Sequence, residues 1–183
     1  MSSSEKPESA YSSAPAGKDF FTFDVILRFL LFASSLVAVV VIATGDQTEM
    51  VGPREREANF KNSPAFIYFL VAFSVSGLYS IVTFLASISV LRKPDLKLKF
   101  LLHFLFWDAL ILGIIASATG TAGGVAYVGL KGNSHVNWGK ICNVYDKFCR
   151  HIAGSLAVAL FGSVVTVLLI WLSAYSLHSR VPK

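Results

Sequence analysis

The stretch LLHFLFWDALILGIIASATGTAGGVAYVGL, residues 101–130, decides the fold class of this chain. Apart from His103 and Asp108, its side chains are apolar, small or uncharged. A helix needs about 20 such residues to cross the ~30 Å hydrocarbon core of a bilayer. The stretch has no polar stripe at helical spacing, which a helix of a soluble bundle would show. It therefore predicts a transmembrane helix.

Three further runs of this kind raise the apolar share of the 183 residues to 54%, whereas soluble domains have about 45–50%. We predict an all-α membrane protein in which four transmembrane helices form a bundle. The predicted spans are residues 25–43, 65–91, 101–128 and 152–177, with outer loops at 44–64 and 129–151. Residues 20–178 thus form one membrane domain between a Ser- and Pro-rich tail, 1–19, predicted to be disordered, and a short tail, 179–183.

The orientation in the membrane follows from the short loop 92–100. This loop contains RKPDLKLK, four basic residues against one aspartate, and short loops rich in Lys and Arg stay in the cytoplasm. Because the number of spans is even, both termini are expected on the same, cytoplasmic side. The net charge of +5 is spread over both faces of the membrane, so we expect no nucleic-acid partner.

The two outer loops differ in kind. The first carries alternating charges around PREREANFKNSP and is predicted to be a solvated connector. The second, KGNSHVNWGKICNVYDKFCRH, holds both cysteines of the chain, Cys142 and Cys149. Two cysteines in one outward-facing loop are expected to form a disulfide.

The disulfide requires the chain to fold back between the cysteines. Seven positions apart on a helix, they would be separated by about 10.5 Å, beyond the ~6.8 Å limit between bridged Cα atoms. A metal site that adds His135 and His151 is the other interpretation, but the spacing does not match a zinc finger. The sequence leaves open whether the loop is a recognition surface or only a staple.

Arg28 and Asp108 are charged residues within the predicted spans. A charge at the centre of a bilayer costs on the order of 2.5–3.5 kcal/mol on insertion scales. Counted from helix starts near residues 21 and 101, both lie at the same depth, about 10 Å in at 1.5 Å per residue. An ion pair between the first and third spans is therefore predicted. Two alternatives stay open for Arg28, which could pair with Asp24 one turn earlier or reach the headgroups.

A ridge of small residues runs along the third span, where Ala116, Gly120 and Gly124 recur every four residues. Such a ridge lets another helix approach closely. The second span has a similar ridge, formed by Ala72, Ser76 and Ser80. The sequence leaves open whether the partner helix belongs to the same chain or to another.

Four segments carry a resemblance to a known family: DVILRFLLFASSLVAVVVIATGDQTE, SPAFIYFL, WDALILGIIASATGTAGGVAYVGLKGN and WGKICNVYDKFCRHI. They come with four spans, an arginine in the first, an aspartate in the third and a cysteine pair before the fourth. On these features the chain resembles the Casparian strip membrane domain protein family of land plants, in the first subfamily of its CASP-like branch. The resemblance covers about residues 20–180.

The resemblance implies a plasma-membrane protein that associates with itself and with its relatives. The founding members form a scaffold that blocks lateral diffusion and recruits cell-wall enzymes that deposit lignin. The family's intramembrane pair falls on Arg28 and Asp108, and its cysteine pair on Cys142 and Cys149. The first outer loop lacks the aromatic signature of the founding members, so we expect a more general membrane-domain role. The fold also looks similar to the MARVEL-type four-helix membrane proteins.

The leading functional hypothesis is a non-enzymatic tetraspan that self-associates, at least as a dimer, and organises a plasma-membrane domain. Its expected partners are itself, family members, membrane lipid, and cell-wall or apoplastic proteins that meet the stapled outer loop; no cofactor is expected. The alternative is a small channel or transporter that uses the pair Arg28 and Asp108. An enzyme is disfavoured because neither a GxSxG nor an HExxH motif occurs.

Overall fold

A computed structural model describes residues 16–92 and 97–178. Its four helices are α1 (Ala16–Ala43), α2 (Pro64–Arg92), α3 (Lys97–Lys131) and α4 (Asp146–His178). A hairpin of two strands, β1 (Gln47–Val51) and β2 (Arg54–Ala58), lies between α1 and α2. Single 3-10 turns cover Phe60–Asn62, Ser134–Val136 and Ile141–Asn143.

All four helices are long and apolar enough to cross a membrane, and the predicted four-helix fold class is confirmed. The helices extend beyond the predicted spans. Helix α1 begins at Ala16, inside the segment predicted to be disordered, and α4 begins at Asp146, inside the predicted outer loop. Asp146 lies in the first turn of α4, where a negative charge stabilises the helix dipole. The rest of the N-terminal tail, residues 93–96 and the C-terminal tail lie outside the described residues.

The four helices form a closed ring in which each helix packs against two neighbours. Helix α1 packs against α2 and α4, and α3 packs against the same two helices. Helices α1 and α3 therefore face each other across the diagonal of the bundle. Apolar side chains fill the core between them, including Leu31, Phe73, Ile115 and Leu169.

Hydrogen bonds made by serine side chains between neighbouring helices hold α1 in this ring. The Ser155 hydroxyl of α4 donates to the carbonyl of Ala38 in α1 at 2.8 Å. The Ser35 hydroxyl of α1 donates to that of Ser76 in α2 at 3.2 Å. Small residues at such crossings let helices come close enough for van der Waals packing and interhelical hydrogen bonds, which replace the hydrophobic drive that lipid removes.

The two small-residue ridges differ in burial. On α2, the ridge of Ala72, Ser76 and Ser80 is buried inside the bundle. On α3, Ala116, Gly120 and Gly124 are exposed on the outer surface. A Cβ atom added at Gly120 or Gly124 would meet no neighbour within 4 Å. The first ridge is therefore used within the chain, whereas the second faces outward.

The first outer loop is more ordered than the predicted connector. Strands β1 and β2 pair antiparallel, with Gln47 opposite Ala58 and Val51 opposite Arg54. A Gly-Pro turn joins them, and Gly52 has a φ of 67°, a conformation that glycine adopts without steric cost. The charges of the loop thus lie on a hairpin.

A substitution at Gly162 of α4 tests the close packing of α1 and α4. A Cβ atom there would lie 2.9 Å from the hydroxyl oxygen of Ser34, so we expect Gly162→Leu to lower the free energy of unfolding by about 1–3 kcal/mol through overpacking. The matched control is Gly154→Leu in the same helix, where an added Cβ meets nothing within 4 Å. Thermal unfolding in detergent, followed by circular dichroism, measures both; equal losses would contradict the packing described above.

Candidate functional site

A charge cluster lies inside the bundle, toward the end that holds the start of α1. It consists of Asp24 and Arg28 from α1, Tyr79 and Ser87 from α2, and Asp108 from α3. The guanidinium of Arg28 meets the carboxylate of Asp108 in a bidentate arrangement, with Nη1–Oδ1 and Nη2–Oδ2 distances of 3.3 and 3.2 Å. Both side chains have no exposed surface. The pair therefore bridges the diagonal between α1 and α3.

Arg28 has a second carboxylate partner on its own helix. Its Nε donates to Asp24 Oδ2 at 3.0 Å, with the i,i+4 spacing of neighbouring helical turns. The hydroxyl of Ser87 donates to the same oxygen at 2.6 Å. Asp24 is thus tied to α2 as well as to Arg28.

Tyr79 and Phe104 complete the surroundings of the ion pair. The Tyr79 hydroxyl donates to Asp108 Oδ1 at 2.6 Å. The ring of Phe104 lies 4.3 Å from the guanidinium carbon of Arg28, a cation–π distance. The guanidinium is therefore held by carboxylates at its edges and by an aromatic ring on its face.

Both pairings considered for Arg28 from the sequence occur together. The depth count placed Arg28 level with Asp108, and the structure brings the two side chains into contact. The pairing with Asp24 is present at the same time. Arg28 does not reach toward the headgroups, because its side chain is completely buried.

Sequence reasoning missed Tyr79 and Ser87 as members of the charge cluster. A signal existed, since polar residues recur along the buried stripe of α2 at positions 76, 80, 83 and 87. That stripe continues the predicted ridge toward the charged end. Buried polar side chains in a membrane helix need partners, so its serine and threonine positions pointed to a polar site.

The second candidate site is the end of the molecule formed by residues 44–63 and 132–145, here called the two-loop end. Cys142 and Cys149 are joined by a disulfide with a Cα–Cα distance of 5.7 Å. The chain folds back between them because the 3-10 turn at Ile141–Asn143 ends before α4 begins at Asp146. The bond thus ties the loop to the first turn of α4.

The hairpin is docked onto this stapled segment. The backbone N–H of Phe148 donates to the side-chain oxygen of Gln47 at 2.9 Å, and the Tyr145 hydroxyl donates to the carbonyl of Arg56 at 3.3 Å. The rings of Phe148 and Phe66 meet edge to face, with centroids 6.1 Å apart. The two outer loops therefore form one structure.

The structure offers no support for a metal site at the two-loop end. The sulfurs of Cys142 and Cys149 are bonded to each other, which removes them as ligands beside His135 and His151. Within residues 16–92 and 97–178, no group of three or more His, Cys, Asp or Glu side chains is arranged to hold a metal ion.

Comparison with known proteins assigns the family. The sequence model of the Casparian strip membrane protein domain matches residues 17–165. The chain belongs to this family. Because this is a family of membrane proteins, the four apolar helices are membrane spans, and the matched segment contains the whole charge cluster and both cysteines.

Relatives in the CASP-like branch are similar over nearly the whole chain. The chain is 67% identical to CASP-like protein 1D2 of Glycine max over 193 aligned positions, which cover all of both proteins. It is 69% identical to CASP-like protein 1D1 of Glycine max, over 96% of this chain and 93% of the relative. Identity to CASP-like protein 1D2 of Arabidopsis thaliana is 51%, over 87% of this chain and 84% of the relative. The predicted family and subfamily are confirmed, and no solved structure matches the chain.

Because the four helices are membrane spans, the charge cluster is buried inside a membrane-spanning bundle, where water does not screen its charges. One guanidinium stands against two carboxyl groups, so the cluster has one negative charge in excess when both are ionised. Charges in hydrocarbon are tolerated when they are paired. Arg28 is therefore the limiting partner: its loss would strand two carboxylates, whereas loss of either aspartate would leave a neutral pair.

This charge balance predicts an asymmetry between two substitutions. We expect Arg28→Gln to lower the free energy of unfolding by about 3–5 kcal/mol, the range for removing one partner of a buried ion pair. Asp108→Asn should cost less than half as much, because Arg28 keeps Asp24 as its partner. Folded yield on size-exclusion chromatography and the thermal unfolding midpoint measure both variants.

The control for the charge cluster is Arg150→Gln, which breaks another i,i+4 Arg–Asp pair, with Asp146. The side chains of Arg150 and Asp146 are 77% and 67% exposed, so we expect a loss of about 0–1 kcal/mol. If Asp108→Asn proved as damaging as Arg28→Gln, the charge balance would not be what governs the cluster.

The disulfide between Cys142 and Cys149 leads to a further prediction. Replacing both cysteines by serine should lower the stability of the region by about 2–3 kcal/mol, as estimated for a disulfide that closes a loop of this length. In nanodiscs, trypsin should then cut faster at Lys140 and Lys147, while Ile141→Ser, a substitution of an exposed residue in the same loop, serves as the control. Cleavage at the native rate in the serine variant would show that the hairpin alone orders the loop.

Proposed function

We propose that the chain is a non-enzymatic plasma-membrane tetraspan that self-associates and organises a membrane domain, with both termini in the cytoplasm. The outward-facing ridge of α3, formed by Ala116, Gly120 and Gly124, is the observation that carries this proposal. Lipid chains do not require small residues on a helix surface, whereas a closely approaching helix does. Membership of the Casparian strip family supports the same interpretation.

The surface beside the ridge is shaped to receive another helix. A groove of about 390 Å³ runs between α3 and α4, with Thr119 and Gly123 on one wall and Leu156 and Leu160 on the other. A second copy of the chain presents the same ridge and groove. We infer a two-fold contact in which α3 of one protomer packs against α3 of its partner, since a two-fold dimer, the commonest closed oligomer, brings the same surface of both protomers together.

The two-loop end supplies the surface for other partners in this proposal. Trp138, Ile141 and Val144 are exposed there, on a loop that the disulfide holds in place. Exposed aromatic side chains such as Trp138 are enriched at protein-binding surfaces. Cell-wall or apoplastic proteins would meet this surface if the termini are cytoplasmic.

Transport by the pair Arg28 and Asp108 receives no support from the geometry. Both side chains are completely buried and bonded to each other, to Asp24 and to Tyr79. A relay needs groups that meet a water-filled path. The cluster is better explained as a clamp that holds three helices together.

Self-association is tested by Gly120→Leu with Gly154→Leu as the matched control, since both glycines are exposed and open. The first should weaken association about tenfold by filling the ridge, and the second should leave it unchanged. Counting protomers per spot by single-molecule photobleaching in vesicles of matched protein density measures association. Equal counts for native protein and Gly120→Leu would remove the α3 ridge as the contact.

The organising role needs a separate measurement in the native membrane. We expect single-particle tracking at native expression to show slow, confined diffusion in the plasma membrane, and faster diffusion for Gly120→Leu. Free diffusion of single native protomers would rule out a scaffold.

A further inference from the structure

An open cavity of about 830 Å³ lies at the two-loop end. Its walls come from strand β2, the first turn of α2, the last turns of α3 and the stapled segment before α4. Pockets for small molecules usually measure about 300–1,000 Å³. Four separate segments of the chain thus enclose a space of ligand size where the spans end.

The floor of the cavity is apolar. It is lined by Phe66 of α2, Val125 and Val128 of α3, Val144 of the segment before α4, and Phe148 in the first turn of α4. Phe66 and Phe148 are themselves buried, and their edge-to-face contact fixes the position of this wall. A ligand that contacts the floor must offer an apolar body.

Two cations stand at the rim. Arg56 and Lys140 both line the cavity and are exposed, and neither forms a salt bridge with any residue that the structure describes. Glu57 is the one carboxylate among the lining residues of the cavity, so the two cations outnumber it. The rim therefore has an excess of positive charge.

We propose that this cavity binds an anionic amphiphile, with its apolar body on the valine and phenylalanine floor and its carboxylate or phosphate at Arg56 and Lys140. The position of the cavity suits such a molecule, because apolar helix surface gives way there to charged loops. The ligand can come from the lipid leaflet or from the aqueous phase, and both sources share this chemistry. The site is separate from the α3 ridge, so it does not depend on self-association.

Trp138 provides a reporter, because it lines the cavity. The other two tryptophans, Trp107 and Trp171, are exposed on the helices and lie outside the cavity lining. Replacing both by phenylalanine leaves Trp138 as the single tryptophan, which is excited selectively at wavelengths beyond the tyrosine absorption. The protein is placed in phosphatidylcholine nanodiscs and titrated with ω-bromoundecanoate or with ω-bromoundecanol, two quenchers of the same chain length whose head groups are a carboxylate and a neutral hydroxyl.

We expect saturable quenching of Trp138 by the carboxylate at lower concentration than by the alcohol. Arg56→Gln combined with Lys140→Gln should raise the half-saturation concentration for the carboxylate about 2- to 30-fold, the range for two exposed charge contacts. The control, Arg54→Gln with Lys147→Gln, removes the same charge from the same end without touching the cavity lining and should leave that concentration unchanged.

A second pair of variants tests the floor independently of charge. Val128→Phe narrows the cavity and should weaken quenching by both probes, whereas Leu130→Phe, on an exposed position outside the lining, should weaken neither. These two variants still test the proposal if the double variant of Arg56 and Lys140 fails to fold.

Brominated anionic and zwitterionic phospholipids in the disc then identify the source. Stronger quenching by the anionic lipid, lost in the Arg56 and Lys140 variant, means that the leaflet supplies the ligand; saturation by the free carboxylate alone means that the aqueous phase does. Linear, unsaturable quenching by both soluble probes in the native protein, or equal effects of the two charge variants, would overturn the proposal.

Discussion

Arg28 lies between carboxylates of two helices inside the bundle, and this ion cluster sets the arrangement of the spans. Because α1 and α3 are diagonal in the ring, apolar contact between them is limited, and the guanidinium bridges the gap to Asp108. Tyr79 and Ser87 attach α2 to the same charges. In lipid, where apolar surfaces gain little by meeting each other, such directional contacts specify which helices are neighbours. Helix α4 is held by close packing at Gly162 and by the hydrogen bond from Ser155 to α1.

Small residues divide the molecule into an inner and an outer surface. The ridge of α2 is buried inside the bundle, whereas the ridge of α3 is exposed on its outer surface. The small-residue ridge of α2 therefore packs helices within the chain, and the small-residue ridge of α3 is available for contact with another chain. The disulfide and the hairpin make a third surface at the two-loop end. The hairpin is fixed to α4 through Gln47 and to the residue before α4, Tyr145, through the carbonyl of Arg56, so partners there would meet an ordered structure.

The sequence predicted the features that depend on composition and on depth. Four apolar runs predicted the spans, and counting along two helices that enter from the same end placed Arg28 level with Asp108. The direction of the α3 ridge could not be predicted, because spans that are apolar all round give no signal for which side faces lipid. The order of the helices around the ring could not be predicted from the sequence for the same reason. Tyr79 and Ser87 belong to the cluster only because that order places α2 beside both α1 and α3.

Solid-state NMR measures directly whether Arg28 contacts Asp108 inside the bundle. Protein in lipid, with ¹⁵N-labelled arginine and ¹³C-labelled aspartate, and with Arg150 replaced by lysine to remove the exposed pair, is compared with the same protein carrying Asp24→Asn. We expect a guanidinium-to-carboxyl dipolar coupling that persists in the second sample, as the N–O distances of 3.2 and 3.3 Å between Arg28 and Asp108 require. Loss of all such coupling once Asp24 is replaced would contradict this contact.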